Sequence, residues 1–176
     1  AVPKKCWATH NGLSLEQGGR PIVVTYDTMG YSTSDVATYG NGIWYAVKEL
    51  FAADFKDANG NGIVPFLVLE SSWVVNGAGA YADGYYAWGA ALNGPNTNNV
   101  GSYYTTEIGP GFQDATGRVA PRYDGGQMVR WFNSKPASRN IFDSNCILVE
   151  TWNELWEGTG LERCLDYPAS AGGYLS

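Results

Sequence analysis

The chain has 176 residues, enough for one domain with its own core and short of two. Its formal charge is −6 and its 11 Lys and Arg are scattered, which argues against a nucleic-acid backbone or an anionic membrane surface as partner. Aromatic residues reach 14%, with 7 Trp and 12 Tyr, against 16% charged residues; that balance suits a neutral ligand such as a sugar, although an aromatic-rich core has the same composition.

Ala1-Val2-Pro3-Lys4-Lys5 lacks the apolar segment that follows the basic start of a signal peptide. A mature form trimmed from a longer precursor fits equally, and the low charge tilts the reading toward an extracellular, secreted protein. Cys6, Cys146 and Cys164 leave at least one thiol unpaired within the chain. A Cys146–Cys164 disulfide would brace the stretch between them, and buried free thiols account for the count as well. His10, the single histidine, has no second histidine or acid at ligand spacing and reads as a surface residue.

Pro21 to Asp27 reads as a buried strand ending in polar residues. Ser32, Ser34 and Asp35 offer helix-capping chemistry, and Ile43, Trp44, Val47, Leu50, Phe51 and Phe55 at helical spacing predict a helix over 43–56. Gly40 and Gly42 blur its start. Asp57, Asn59 and Asn61 in Asp57-Ala58-Asn59-Gly60-Asn61-Gly62 match the first half of a calcium loop. Its twelfth position is Val68 rather than an acid, so a glycine-rich turn is the preferred reading and no cofactor or metal is expected. Ile63 to Glu70 is a second apolar strand closing on an acid. Residues 71–79 read as a loop, 83–88 as a short strand, and the Asn-rich run 93–101 as a surface loop. A strand at 103–108, a helix containing Met128, Val129, Trp131 and Phe132, and a final strand at 147–149 complete the series.

Apolar strands alternating with helices predict an α/β fold with a parallel sheet. Acids or amides recur at the strand carboxyl ends: Asp27, Glu70, Glu107, Asn153 and Glu154. In a (β/α)8 barrel those ends share a rim. Such a barrel needs about 250 residues, so the expectation is a single catalytic-type domain, 1–176, holding the C-terminal five or so βα units, with a missing N-terminal barrel segment as a possible partner.

The chemistry concentrates in Cys146 to Gly160. There Ile147-Leu148-Val149 gives way to Asn153, Glu154 and Glu157, with tryptophans at 152 and 156, and then to a glycine turn. Two carboxyl groups held between indole rings suit glycosidic cleavage, which needs one acid and one base or nucleophile. Neighbouring like charges keep one of such a pair protonated near neutral pH, and a tryptophan wall adds to that by excluding water. Solvated turn acids beside core tryptophans are the bland alternative.

Asn153-Glu154-x-x-Glu157-Gly158-Thr159 resembles the Asn-Glu-Trp-x-Glu-Gly-Thr signature of endo-α-mannosidase-type glycoside hydrolases. Gly109-Pro110-Gly111-Phe112-x-Asp114 is similar to that family's Gly-Pro-Gly-Tyr-x-Asp loop. Asp83-Gly84-Tyr85-Tyr86-x-Trp88 resembles a further Phe-Asp-Gly-x-Tyr segment more faintly. The resemblance implies a (β/α)8 barrel that cleaves α-linked oligo- or polysaccharides with retention. It makes Glu154 the base acting on the substrate's own 2-hydroxyl, through an anhydro-sugar, and Glu157 the general acid and then base. Asn153 would orient the substrate. Trp152, Trp156, Asp27, Glu70, Tyr86, Trp88, Glu107 and Phe112 complete the expected cleft. Leu155, Trp156 and Gln113 depart from the family pattern and mark a divergent branch. The alternative function is a non-catalytic carbohydrate-binding protein on the same scaffold. A Ser-His hydrolase is disfavoured, since no Gly-x-Ser-x-Gly elbow is present.

Overall fold

The computed structural model describes residues 9–10, 13–14, 16–17, 19–28, 30–114, 116–121, 126–134, 136 and 139–150. They form two compact units, 1–85 and 86–176.

In the first unit, β1 (Thr9–His10) and β2 (Leu13–Ser14) make a small antiparallel pair. A four-stranded sheet follows in the order β3 (Glu16–Gln17), β4 (Arg20–Val24), β5 (Phe66–Glu70), β6 (Gly84–Tyr86). β3 is antiparallel to β4, whereas β4 and β5 run parallel with Ile22 opposite Phe66. The crossover between those parallel strands is α1, Thr33–Asp54. Ser32 caps it in a reciprocal box with Asp35, satisfying amides at the helix start. α1 thus begins well before the predicted residue 43, and the predicted stripe is only partly buried: Trp44 is in the core while Leu50 is exposed.

Gly40 explains the early start. A Cβ there would stand 2.4 Å from the Ala78 Cβ, so the glycine lets α1 lie directly on the segment that follows β5. That segment, predicted as a loop, is a continuous run of turns: α2 (Ser71–Trp73), a π turn (Val74–Ala78) and a 3-10 turn (Gly79–Tyr81). Val36, Trp44, Leu67, Leu69, Trp73 and Ala78 form the core, with the Trp44 and Trp73 rings edge to face at 4.9 Å.

The second unit carries α3 (Ala90–Asn93), β7 (Asn96–Val100) and β8 (Tyr103–Ile108). A hairpin β9 (Phe112–Gln113) and β10 (Val119–Ala120), helix α4 (Gly126–Phe132) and β11 (Cys146–Val149) follow. Its main sheet is ordered β11-β8-β7. β11 is parallel to β8, with Leu148 opposite Glu107, and β7 is antiparallel to it. The Asn-rich run is therefore an edge strand rather than a loop. Thr97 Oγ1 meets Thr106 Oγ1 at 2.7 Å, and Thr106 Oγ1 meets Ser144 Oγ at 2.6 Å, so hydroxyl pairs support it where apolar contacts do not.

The expected barrel is not present among the described residues. The described strands make four separate sheets of 2, 2, 3 and 4 strands. Antiparallel pairs at β3–β4, β7–β8 and β9–β10 interrupt what a barrel requires to be uniformly parallel. The βαβ pattern survives locally, once around α1 and once between β8 and β11.

Candidate functional site

The parallel pair β8–β11 is tied at both ends. Asn145 N donates to Tyr104 O at 2.9 Å, and Glu150 N donates to Ile108 O at 2.9 Å. Glu150 thus stands just past the carboxyl end of β11, 3% exposed. Its carboxylate accepts from the backbone N–H groups of Gly89, Ala90 (3.1 Å) and Ala91 (2.9 Å), the orphan donors at the start of α3. Gly89 has φ 115°, a conformation glycine adopts without strain.

The same region explains the Gly109-Pro110-Gly111 run. A Cβ on Gly109 would fall 2.4 Å from Ala91 Cα, so the residue lets the end of β8 touch α3. Gly111, at φ 128°, turns the chain into β9 and places Phe112 inside, against Ala91 and Ala120. The turn from β9 to β10 is built on Asp114. Its carboxylate accepts from Thr116 N (3.0 Å), Thr116 Oγ1 (2.7 Å), Arg118 N (3.0 Å) and Arg118 Nε (2.7 Å). The Thr116 hydroxyl foremost, with Arg118 and the turn amides, brings its pKa down to about 2. Arg118 lies over the Phe112 ring at 5.1 Å.

Around these groups opens a cleft of about 230 Å³ lined by Trp88, Gly89, Leu92, Asn93, Phe112, Arg118 and Glu150. Trp88 keeps 39% of its surface in solvent. The cleft therefore has one exposed aromatic wall, a short apolar floor, an amide and a paired guanidinium. It can stack a flat apolar face and hydrogen-bond a polar rim.

Of the predicted site residues, Trp88 and Phe112 share this cleft. Glu107 is 1% exposed within the sheet on β8, and Tyr86 is buried at the end of β6. Asp27 and Glu70 belong to the first unit, Asp27 shortly after β4 and Glu70 as the last residue of its parallel neighbour β5. Glu70 is buried and occupied locally: Ser71 Oγ and Ser72 N each donate to it at 2.8 Å and Ser72 Oγ donates to it too, so it caps α2. Trp152, Asn153, Glu154, Trp156 and Glu157 lie outside the described residues, as do Cys6 and Cys164. Cys146 is a free thiol. Burial pushes its pKa up, and burial with the neighbouring Cys146 raises the Tyr103 phenol to about 12, so both stay protonated at neutral pH.

The turn at 57–62 uses Asp57 internally. Its carboxylate accepts from Asn59 N (2.8 Å), Asn61 N (2.9 Å) and Asn61 Nδ2 (3.1 Å). No group of three or more His, Cys, Asp or Glu that could hold a metal ion occurs among the described residues. No described helix is long and apolar enough to cross a membrane.

Gly89, Leu92, Asn93, Arg118 and Glu150 line the cleft without being among the predicted site residues. Glu150 had a signal: it is the first acid after the apolar run of β11. Arg118 had none, since its place depends on a turn closed by Asp114.

A family model described as Domain of unknown function (DUF5010) covers residues 1–171. No curated protein and no solved structure matches the chain. With nearly its whole length matched, the chain belongs to the DUF5010 family.

Proposed function

We propose that the chain is a retaining glycoside hydrolase for α-linked oligo- or polysaccharides, with Glu154 and Glu157 as the working pair. The observation that carries this reading is the Trp88-walled cleft, because its buried acid Glu150 is the residue from which the Asn153-Glu154-x-x-Glu157 stretch departs. Glu154 follows four residues later, and a fully extended chain limits its Cα to about 14 Å from that of Glu150. A cavity of about 230 Å³ is smaller than the roughly 300–1,000 Å³ of ordinary ligand pockets, which suits a subsite for a single ring. Trp88 would supply the stacking face and Asn93 the amide for hydroxyl groups.

In this mechanism Glu154 withdraws the proton of the substrate's 2-hydroxyl as that oxygen attacks the anomeric carbon of the same sugar and displaces the glycosidic oxygen. Glu157 protonates the departing glycosidic oxygen. Water then opens the anhydro-sugar, giving a proton to Glu157 while Glu154 returns one to the 2-oxygen, and two inversions leave the configuration retained.

A binding-only function is the second reading, favoured by the internal commitments of the acids described near the cleft. Glu150 is bound to three amides and Asp114 is paired with Arg118. The test is reducing-end release from soluble α-mannan and α-glucan by wild type, Glu154→Gln and Glu157→Gln. Each variant is expected to lose about 100-fold or more of turnover, and full activity in either removes that residue from the mechanism. Sugar binding by wild type without any product turns the assignment to a binding protein.

A further inference from the structure

In the first unit the described residues between β4 and α1, 25–28 and 30–32, are held at three places. Thr25 N donates to Val68 O at 3.0 Å, and Thr25 Oγ1 accepts from Glu70 N at 3.1 Å. In the middle, the indole N–H of Trp73 donates to the carbonyl oxygens of Tyr26 (3.2 Å) and Asp27 (3.0 Å). At the end, Tyr31 N closes a turn onto Thr28 O at 3.0 Å, and Ser32 starts α1. A loop fixed in this way nevertheless presents two large rings to water: Tyr26 is 51% exposed and Tyr31 is 50% exposed. Asp27 between them is exposed as well. Tyr31 has support beneath it, its ring centroid standing 6.0 Å from that of buried Trp73.

Exposed aromatic area on a fixed backbone costs little entropy when a ligand stacks on it. We infer that Tyr26, Asp27 and Tyr31 form a carbohydrate-binding surface of the first unit, additional to the cleft at Trp88. The two rings offer flat faces for the C–H side of a pyranose, and the Asp27 carboxylate accepts from sugar hydroxyl groups. The proposal rests on the reading of the ligand as carbohydrate, and its role is to hold a polysaccharide chain rather than to cut it.

The test is retardation in native gels containing soluble α-mannan or α-glucan, run on the whole chain in the Glu157→Gln background so that turnover plays no part. The pair Tyr26→Ala with Tyr31→Ala should weaken retention about tenfold, Asp27→Asn should weaken it less, and Tyr31→Trp should keep it. Circular dichroism and unfolding midpoints unchanged by the alanines would separate lost binding from lost fold. Undiminished retention of the folded alanine pair overturns the surface, and so does absence of retention of the parent chain on both polysaccharides. Tyrosine-dependent retention in a chain whose wild type releases no product would support this surface while overturning the hydrolase reading.

Discussion

Asp83 shows what a single carboxylate does in the first unit. It accepts from Arg20 Nη1 (2.9 Å) and Nη2 (2.7 Å), from Lys48 Nζ (2.9 Å) and from Leu67 N (3.0 Å), joining β4, α1 and β5. Burial raises its pKa, but the Arg20 bonds, the Leu67 amide and Lys48 outweigh that and hold it below the usual 3.8. Asp83→Asn keeps the shape and loses the charge, and should cost about 2 kcal/mol in urea unfolding; an unchanged midpoint would refute this role. Asp114 follows the same sign. Its folded pKa lies below its unfolded value, so its stabilising contribution is complete above about pH 4 and is lost as pH falls through about 2. Thermal unfolding followed from pH 5 down to 2 should steepen in wild type relative to Asp114→Asn, and parallel curves would contradict the assignment. Neither role was legible in the sequence. Asp83 and Asp114 were visible only as members of motif-like strings, because their partners sit on other strands or across a turn. Glu70 misled in the opposite direction: an acid closing an apolar strand looks like a site residue, yet Ser71 and Ser72 absorb it as a helix cap.

Elements were legible where the pattern is carried by apolar side chains. β5 and β8 lie within the predicted strands, β4 and β11 begin one residue before theirs, and Ser32 with Asp35 forms the capping interaction that their residue types suggested. The errors have physical causes. Gly40 lowers helix propensity locally, and only the neighbouring Ala78 shows why a glycine belongs in the middle of α1. Gly40→Ala gains propensity of about 1 kcal/mol but must push apart atoms that would stand 2.4 Å away, so a net loss of about 1–2 kcal/mol is expected in denaturant unfolding. A stabilised variant would mean that α1 can lift away from the turn cheaply. β7 escaped notice because Asn96, Asn98 and Asn99 have turn composition; pairing with β8 and the hydroxyl bonds of Thr97 keep it in the sheet.

On the scale of the whole molecule, the expectation of a parallel barrel failed because each apolar strand was read as the neighbour of the next. In the structure β5 and β8 belong to different sheets, and hairpin strands occupy positions that a barrel would give to parallel ones. Acids do stand at strand carboxyl ends in each unit, Glu70 closing β5, Asp27 shortly after β4 and Glu150 just after β11, but Glu70 and Glu150 are both taken up by backbone amides of the helices beside them. The proposed function requires the Trp88 cleft and the Glu154–Glu157 stretch to act as one sugar site. Its most direct test is the kinetics of α-mannan cleavage by Trp88→Ala beside wild type. Loss of the stacking wall should lower kcat/KM roughly tenfold or more, chiefly through KM, with the unfolding midpoint nearly unchanged. Cleavage by wild type with identical constants in Trp88→Ala would place the chemistry elsewhere and contradict the account.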